Sequence, residues 1–140
     1  MALPTKLQLH IVSAERLLVN EQVDEVQIPG VEGSFGVWPG HTPLLAMLGA
    51  GELMYRQGTS THHFVLAFGF AEVQPDRVTI LAEVAERPEE IDIARAEAAK
   101  TRAEQLLATA MVDMDAERAR VSLMKALIRL QVATRARIRS

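Results

Sequence analysis

The chain has 140 residues, 49% hydrophobic and 24% charged, with a formal net charge of −3. That length supports one moderate domain or two small ones, able to bury about 68% of the extended-chain surface, and the apolar content excludes a mostly disordered chain. The longest run without a polar side chain is nine residues, 43–51. A membrane-spanning helix needs about 20, so no direct membrane insertion is expected. The first residues alternate instead of placing positive charge before an apolar block, so no secretory signal is expected. Cysteine is absent, which removes disulfides, thiolate metal sites and thiol catalysis.

Composition divides the chain. All eight glycines lie within residues 30–69, all six Phe, Trp and Tyr lie before residue 71, and the last proline is Pro88. From Glu89 onward, 12 of 52 residues are alanine. Turn formers and aromatics favour strands and loops, while alanine and long side chains favour helix. A β part over residues 1–87 and a helical part over 88–140 are expected. Charge divides nearly there too. Residues 1–86 carry four basic and ten acidic side chains, and residues 118–140 carry seven basic and none acidic.

In chain order, Lys6-Leu7-Gln8-Leu9-His10-Ile11 alternates polar and apolar residues, as a half-buried strand does. Val23-Asp24-Glu25-Val26-Gln27-Ile28 mostly alternates and stops at Pro29-Gly30. Residues 52–57, 63–68, 70–73 and 77–84 are further strands. Gly49, Gly51, Gly58, Gly69 and Pro75-Asp76 punctuate them as turns. Short strands at this spacing predict a sandwich or small barrel. A first helix is expected over about 90–110, with Pro88 at its start and Glu89, Glu90 and Asp92 at the positive end of its dipole. Met111-Val112-Asp113 breaks it. A second helix over about 115–135 has Asp113 or Asp115 as cap, and Ala116, Ala119, Leu123, Leu127 and Leu130 on one face. The short link makes the pair an antiparallel hairpin.

Gly30, Gly33 and Gly36 stand three apart, without the spacing or the Lys-Ser/Thr of a phosphate loop, and read first as a turn-rich connection. His62 and His63 point to opposite faces of a strand, and no HxxxH helix spacing occurs, so no metal site is expected. No GxSxG context marks a nucleophile, so no catalytic residue is assigned. Asp92, Arg95, Ala99 and Arg102 share one quarter of the first helix, and Arg118, Ser122, Lys125 and Arg129 form a stripe on the second. Such stripes serve as solvated ion-pairing faces or as anion sites. The basic end lacks the interleaved aromatics of a nucleic-acid surface.

The segment Val26-Gln27-Ile28-Pro29-Gly30-Val31-Glu32-Gly33-Ser34-Phe35-Gly36-Val37-Trp38-Pro39-Gly40-His41-Thr42-Pro43-Leu44-Leu45-Ala46 closely resembles the epsilon subunit of the F-type ATP synthase. Ile11-Val12-Ser13-Ala14-Glu15, Glu72-Val73-Gln74-Pro75 and Ile91-Asp92-x-x-Arg95-Ala96 resemble it too, so the likeness runs through the whole chain in order. It implies an N-terminal β-sandwich of about ten short strands and a C-terminal antiparallel α-helical hairpin. It also implies a non-catalytic central-stalk subunit that couples proton translocation to ATP synthesis. The partners it implies are the gamma subunit, the c-subunit ring, and the alpha/beta head when the hairpin extends to restrain ATP hydrolysis. The implied location is peripheral, on the cytoplasmic face of the bacterial inner membrane.

By the same resemblance, Glu32, Gly33, Ser34, His41 and Pro43 face the c ring. Some family members carry an acidic residue where Ser34 stands, which leaves Glu32 as the polar contact. No cofactor is required, but some bacterial members bind regulatory ATP. That match selects Glu86, Ile91, Asp92, Arg95, Ala96, Arg102, Lys125 and Arg129, with Lys125 standing where ATP binders can have arginine. Arg118, Arg120, Lys125, Arg129, Arg135, Arg137 and Arg139 would form an inhibitory basic arm against acidic residues of the head. The alternative is a free-standing ATP-sensing module without a rotary partner.

Overall fold

The computed structural model describes residues 3–139, and of Arg139 the backbone alone. The chain divides into two compact units, residues 1–86 and 87–140.

The first unit holds seven strands: β1 (Leu7–Ser13), β2 (Leu17–Val23), β3 (Glu25–Gly30), β4 (Gly33–Val37), β5 (Leu44–Gln57), β6 (Ser60–Gln74) and β7 (Arg77–Glu86). They hydrogen-bond in the order β2-β1-β7-β6-β5-β3-β4. Every neighbouring pair is antiparallel except β1 with β7, which run parallel from Gln8↔Arg77 to Ser13↔Ala82. Alternation sets the inner face: Leu7, Leu9 and Ile11 on β1 and Val78, Ile80 and Ala82 on β7 are buried.

Seven strands replace the expected ten because β5 and β6 do not turn at their glycines; they change face. On β6 the core residues Phe64 and Leu66 have even numbers, whereas Ala71 and Val73 have odd numbers. The switch falls at Phe68 (φ 62°) and Gly69 (φ 129°). On β5 Leu48 is followed by Leu53 and Tyr55 in the core, with Gly49 and Gly51 between them. The β3–β5 register slips at the same place, from Gln27↔Met54 to Gly30↔Leu48. A one-residue offset exchanges the two faces of a strand. Each long strand therefore serves one layer with its first half and the other layer with its second, the device by which sandwich strands cross between sheets. On the far side β2 meets β5, where Gln57 Nε2 donates to Glu21 Oε2 (3.0 Å) and to the Gln22 carbonyl (3.1 Å).

One carboxylate fastens the corner between β2 and β3. Asp24 accepts from Lys6 Nζ, from the Gly58 amide at 2.6 Å and from Arg56 Nη1 at 3.3 Å. The Lys6 bond first, then the Gly58 amide, hold the Asp24 pKa below the usual carboxylate value.

The second unit opens with a 3-10 turn (Pro88–Glu90), then α1 (Ile93–Thr109) and α2 (Asp113–Arg139). Asp92 caps α1, its Oδ1 accepting from the Arg95 amide at 3.1 Å. The buried residues repeat at seven: Ala96 and Ala103 on α1, and Ala119, Ala126 and Ala133 on α2, with Val132 beside them. The expected face is met in part: Ala119 is buried, Ala116, Leu123 and Leu130 are half-buried, and Leu127 is 45% exposed, with the deepest burial on the alanines. A seven-residue repeat holds such a seam along a helix pair.

An added Cβ at Gly69 would lie 1.9 Å from the Leu81 carbonyl oxygen, whereas at Gly58 (φ 60°) it would meet nothing within 4 Å. Gly69→Ala is expected to cost more than about 3 kcal/mol, and Gly58→Ala about 1 kcal/mol, compared by urea unfolding. Similar costs would show that backbone angle, not the clash, sets the requirement at Gly69. Asp24 has a lowered folded-state pKa, so its contribution to stability is complete above the ordinary carboxylate value of about 4. That contribution is lost as pH falls through the lower folded value. Asp24→Asn should lower the urea midpoint at pH 7, and its gap to the parent should narrow steadily below about pH 4. A gap that stayed constant to pH 2.5 would assign the effect to something other than the ionised carboxylate.

Candidate functional surfaces

Three surfaces of the two units can do chemistry or binding. The first is a groove of about 340 Å³ on the sandwich, formed by the β3–β4 turn and the start of β5. Gly30 permits it. A Cβ there would fall 2.9 Å from the Gly33 carbonyl oxygen and 3.2 Å from the Phe35 ring. Gly33 (φ 129°) closes the turn, and the Val31 amide donates to the Met47 carbonyl at 2.9 Å. Glu32 and Gly33 line the groove along with residues 44–47. Ser34 pairs with Pro29 and is exposed, but does not line it. Pro43 directly precedes the lining residue Leu44. His41 sits in the loop before it, with Nδ1 2.6 Å from the Thr42 carbonyl oxygen, and the neighbouring Gly40 amide donates to Pro75 at 2.7 Å. The loop into β5 is thus pinned while the β3–β4 turn presents its carboxylate.

The second surface was not read from the sequence. Cross-strand pairs on the outer face run Met47↔Phe70, Phe70↔Leu81, Leu81↔Val12 and Val12↔Leu17. They form one apolar row across β5, β6, β7, β1 and β2. Met47 is 61% exposed, Phe70 48%, Leu81 51% and Leu17 53%. The adjacent row, Leu45, Glu72, Thr79, His10 and Asn20, is mostly polar. A contiguous apolar band with a polar border marks a docking face. Its sequence signal is broken alternation: Ile80-Leu81 places apolar side chains on both faces of β7, and Phe70 stands where an outward polar residue is expected.

The third surface lies on the hairpin. A cleft of about 380 Å³ between α1 and α2 is lined by Arg102, Lys125 and Arg129, over a floor that includes Ala103 and Ala119, with Leu106 and Ser122 at its sides. Three of the eight residues selected by resemblance for ATP therefore share one cavity. Ile91 and Ala96 are buried, Asp92 is the α1 cap, Arg95 is exposed on the first turn, and Glu86 ends β7 in the other unit. Along α2, Arg118, Arg120, Arg135 and Arg137 are exposed. Arg120 Nη1 donates to Glu117 Oε2 at 2.9 Å. The Arg139 side chain lies outside the described residues.

The histidines are dispersed: His62 stacks on Tyr55 at 4.8 Å, and His63 Nδ1 lies 2.5 Å from Glu52 Oε1. Among the described residues no group of three His, Cys, Asp or Glu side chains could hold a metal, and no helix is long and apolar enough to cross a membrane.

Known proteins resemble both units. The beta-sandwich domain of the ATP synthase delta/epsilon chain matches residues 6–88, and its long alpha-helix domain matches residues 89–134. The ATP synthase epsilon chain of Nitratidesulfovibrio vulgaris (strain DP4) is 50% identical over 126 residues, 90% of this chain and 94% of that one. The ATP synthase epsilon chain of Dehalococcoides mccartyi (strain ATCC BAA-2100) is 50% identical over 133 residues, 94% of this chain and 95% of that one. A chain in the cryo-EM structure of the Euglena gracilis mitochondrial ATP synthase, OSCP/F1/c-ring, shares the fold with a TM-score of 0.82 at 23% identity, over 99% of this chain and 84% of that one.

Proposed function

Because this chain belongs to the ATP synthase epsilon-chain family, a non-catalytic subunit of that complex, we propose that its sandwich docks on the gamma subunit through the apolar band. The single observation behind this reading is the five-strand row from Met47 to Leu17. Burying a Leu or Phe side chain is worth about 1.5–3 kcal/mol, and an aromatic among aliphatic neighbours makes a typical anchor. The groove beside the β3–β4 turn faces the c-subunit ring, with Glu32 as its polar contact. The chain then turns with gamma and the ring and couples proton translocation to ATP synthesis, held peripherally on the cytoplasmic face of the bacterial inner membrane.

The hairpin acts as the brake on hydrolysis. Closed, it permits turnover; opened and extended, it sets Arg118, Arg120, Arg135 and Arg137 against acidic residues of the alpha/beta head. Two features support this. The most buried side chains of the hairpin are mainly alanines, each methyl worth about 0.8 kcal/mol, so opening costs less than opening the sandwich. The arm carries exposed guanidinium groups, which pair carboxylates well. ATP bound to the hairpin favours the closed form. Arg102 on α1 and Lys125 and Arg129 on α2 suit its phosphates, and they meet only while the helices are together. The residues selected for its base fit less well: Ile91 and Ala96 are buried, and Asp92 is occupied as a cap.

Leu81→Glu, which places charge in the band, should weaken binding to purified gamma by about thirtyfold or more, the equivalent of about 2 kcal/mol. Exposed Thr59→Glu should leave it unchanged, both read by calorimetry. No binding of the parent chain to gamma would favour the free-standing sensor. In the reconstituted complex, ending the chain after Glu86 should preserve assembly and raise ATP hydrolysis. Unchanged hydrolysis would remove the brake and leave the docking role.

A further inference from the structure

We propose that the start of β5 is a docking edge, which takes a short extended segment of the gamma subunit as an added strand. This rests on the reading of the apolar band as the gamma face and extends that face from side chains to backbone. β5 pairs with β3 over residues 54–56 and again at Leu48, whereas Leu44, Leu45 and Ala46 pair with β6 alone. The Met47 carbonyl accepts from the Val31 amide at 2.9 Å, on the side away from β6. A residue's N–H and C=O leave a strand on one side, and that side alternates along the chain. Leu45 therefore turns both backbone groups away from β6, toward the groove that Phe35, Leu44 and Met47 line. Among the described residues no strand pairs with it there. Two residues earlier Pro43 has no N–H to offer, and from Met47 onward the edge is closed by Val31 and β3. The open stretch of ladder is short and centred on Leu45.

Unpaired strand edges are ordinarily shielded by charge, proline or bulges. Pro43 shields one end here, but residues 44–48 carry no charge, and Leu44, Leu45 and Met47 are 41%, 68% and 61% exposed. A bare apolar edge of this kind suits strand addition, in which main-chain bonds hold the segment and alternate side chains select it. The occupant follows from continuity. Met47 lines the groove and also begins the exposed row that runs to Leu17, so a partner covering the row reaches the edge without a gap. A second copy of this chain fits less well. Pairing two such edges would set two grooves, each lined by Glu32, against one another, and like charges repel. Glu32 stays on the β3–β4 turn as the polar contact to the ring.

The test follows single amides of the full chain by NMR. Adding purified gamma should slow deuterium exchange at the Leu45 amide by about a hundredfold or more. Adding the purified c-ring, or concentrating the chain alone, should leave it unchanged. Leu45→Pro removes the edge donor and no bond of the β5–β6 ladder. Its urea midpoint should stay near the parent's, while its binding to gamma weakens by about tenfold more than that of Leu45→Ala, which keeps the amide. Unchanged Leu45 exchange in a chain that binds gamma would overturn this inference and leave the band standing. Equal loss of binding in the two variants would assign the edge to side-chain contact alone and overturn strand addition. Protection by the c-ring, or by the chain itself, would name a different occupant and overturn the assignment to gamma. Failure of gamma to bind would overturn both readings.

Discussion

A helix pair packed through alanine closes to a short separation, yet each contact removes only one methyl group from water. In this chain the most buried side chains of α1 and α2 are Ala96, Ala103, Ala119, Ala126 and Ala133, with Val132, while Leu107, Leu123 and Leu130 are half-buried. The sandwich instead buries Tyr55, Phe64 and a full set of Leu, Ile and Val side chains in one cluster. Two units of such unequal interior cannot share one stability. The hairpin belongs at the low end of the local-opening scale, the end from which moving elements are drawn.

The rigid unit owes its form to the positions where its two longest strands change face. β5 and β6 cross between layers at Gly49–Gly51 and Phe68-Gly69, and the outer apolar row begins beside those crossings, at Met47 and Phe70. A flat two-layer sandwich would need turns there and would lose the uninterrupted ladder from β5 to β2 on which the row stands. The same glycines that bend the strands therefore help create a continuous exposed apolar row. Leu81 links fold and function most closely: its carbonyl oxygen excludes any side chain at Gly69, and its own side chain stands in the middle of the exposed row.

Much of this was legible in the sequence, and the failures have definite physical causes. Alternation in Lys6 to Ile11 located β1 because one face of that strand is buried and the other is half exposed. The loss of glycine, aromatics and proline after Pro88 located the helices, because alanine is the best helix former and glycine and proline the worst. Gly69 misled, since a glycine with positive φ inside a strand and a glycine in a turn look alike in one dimension. The stripe through Leu123, Leu127 and Leu130 held only in part: Leu123 and Leu130 are half-buried and Leu127 is exposed, and the seven-residue alanine repeat marked the most buried positions. The cluster of Arg102, Lys125 and Arg129 was anticipated as two separate polar stripes, and the antiparallel return of the chain brings them to one cavity. Of the remaining residues selected for ATP by resemblance, Ile91, Asp92, Arg95 and Ala96 lie at the start of the hairpin and Glu86 ends β7.

A weak seam and a cationic cleft reinforce one another. In the proposed two-state hairpin, Arg102 on α1 and Lys125 and Arg129 on α2 line one cleft only while the helices are together. A ligand would shift the proposed two states only by its difference in affinity for them, and in the proposed open form the three cations would stand on separated helices. At a free concentration one hundred times the dissociation constant, such a ligand stabilises the closed form by about 2.7 kcal/mol, comparable with the contribution of three or four alanine methyls. An interior of Leu and Ile alone would stabilise the closed form of the proposed brake too firmly for that increment to matter, whereas small residues on the buried face would leave the proposed balance within reach of a ligand.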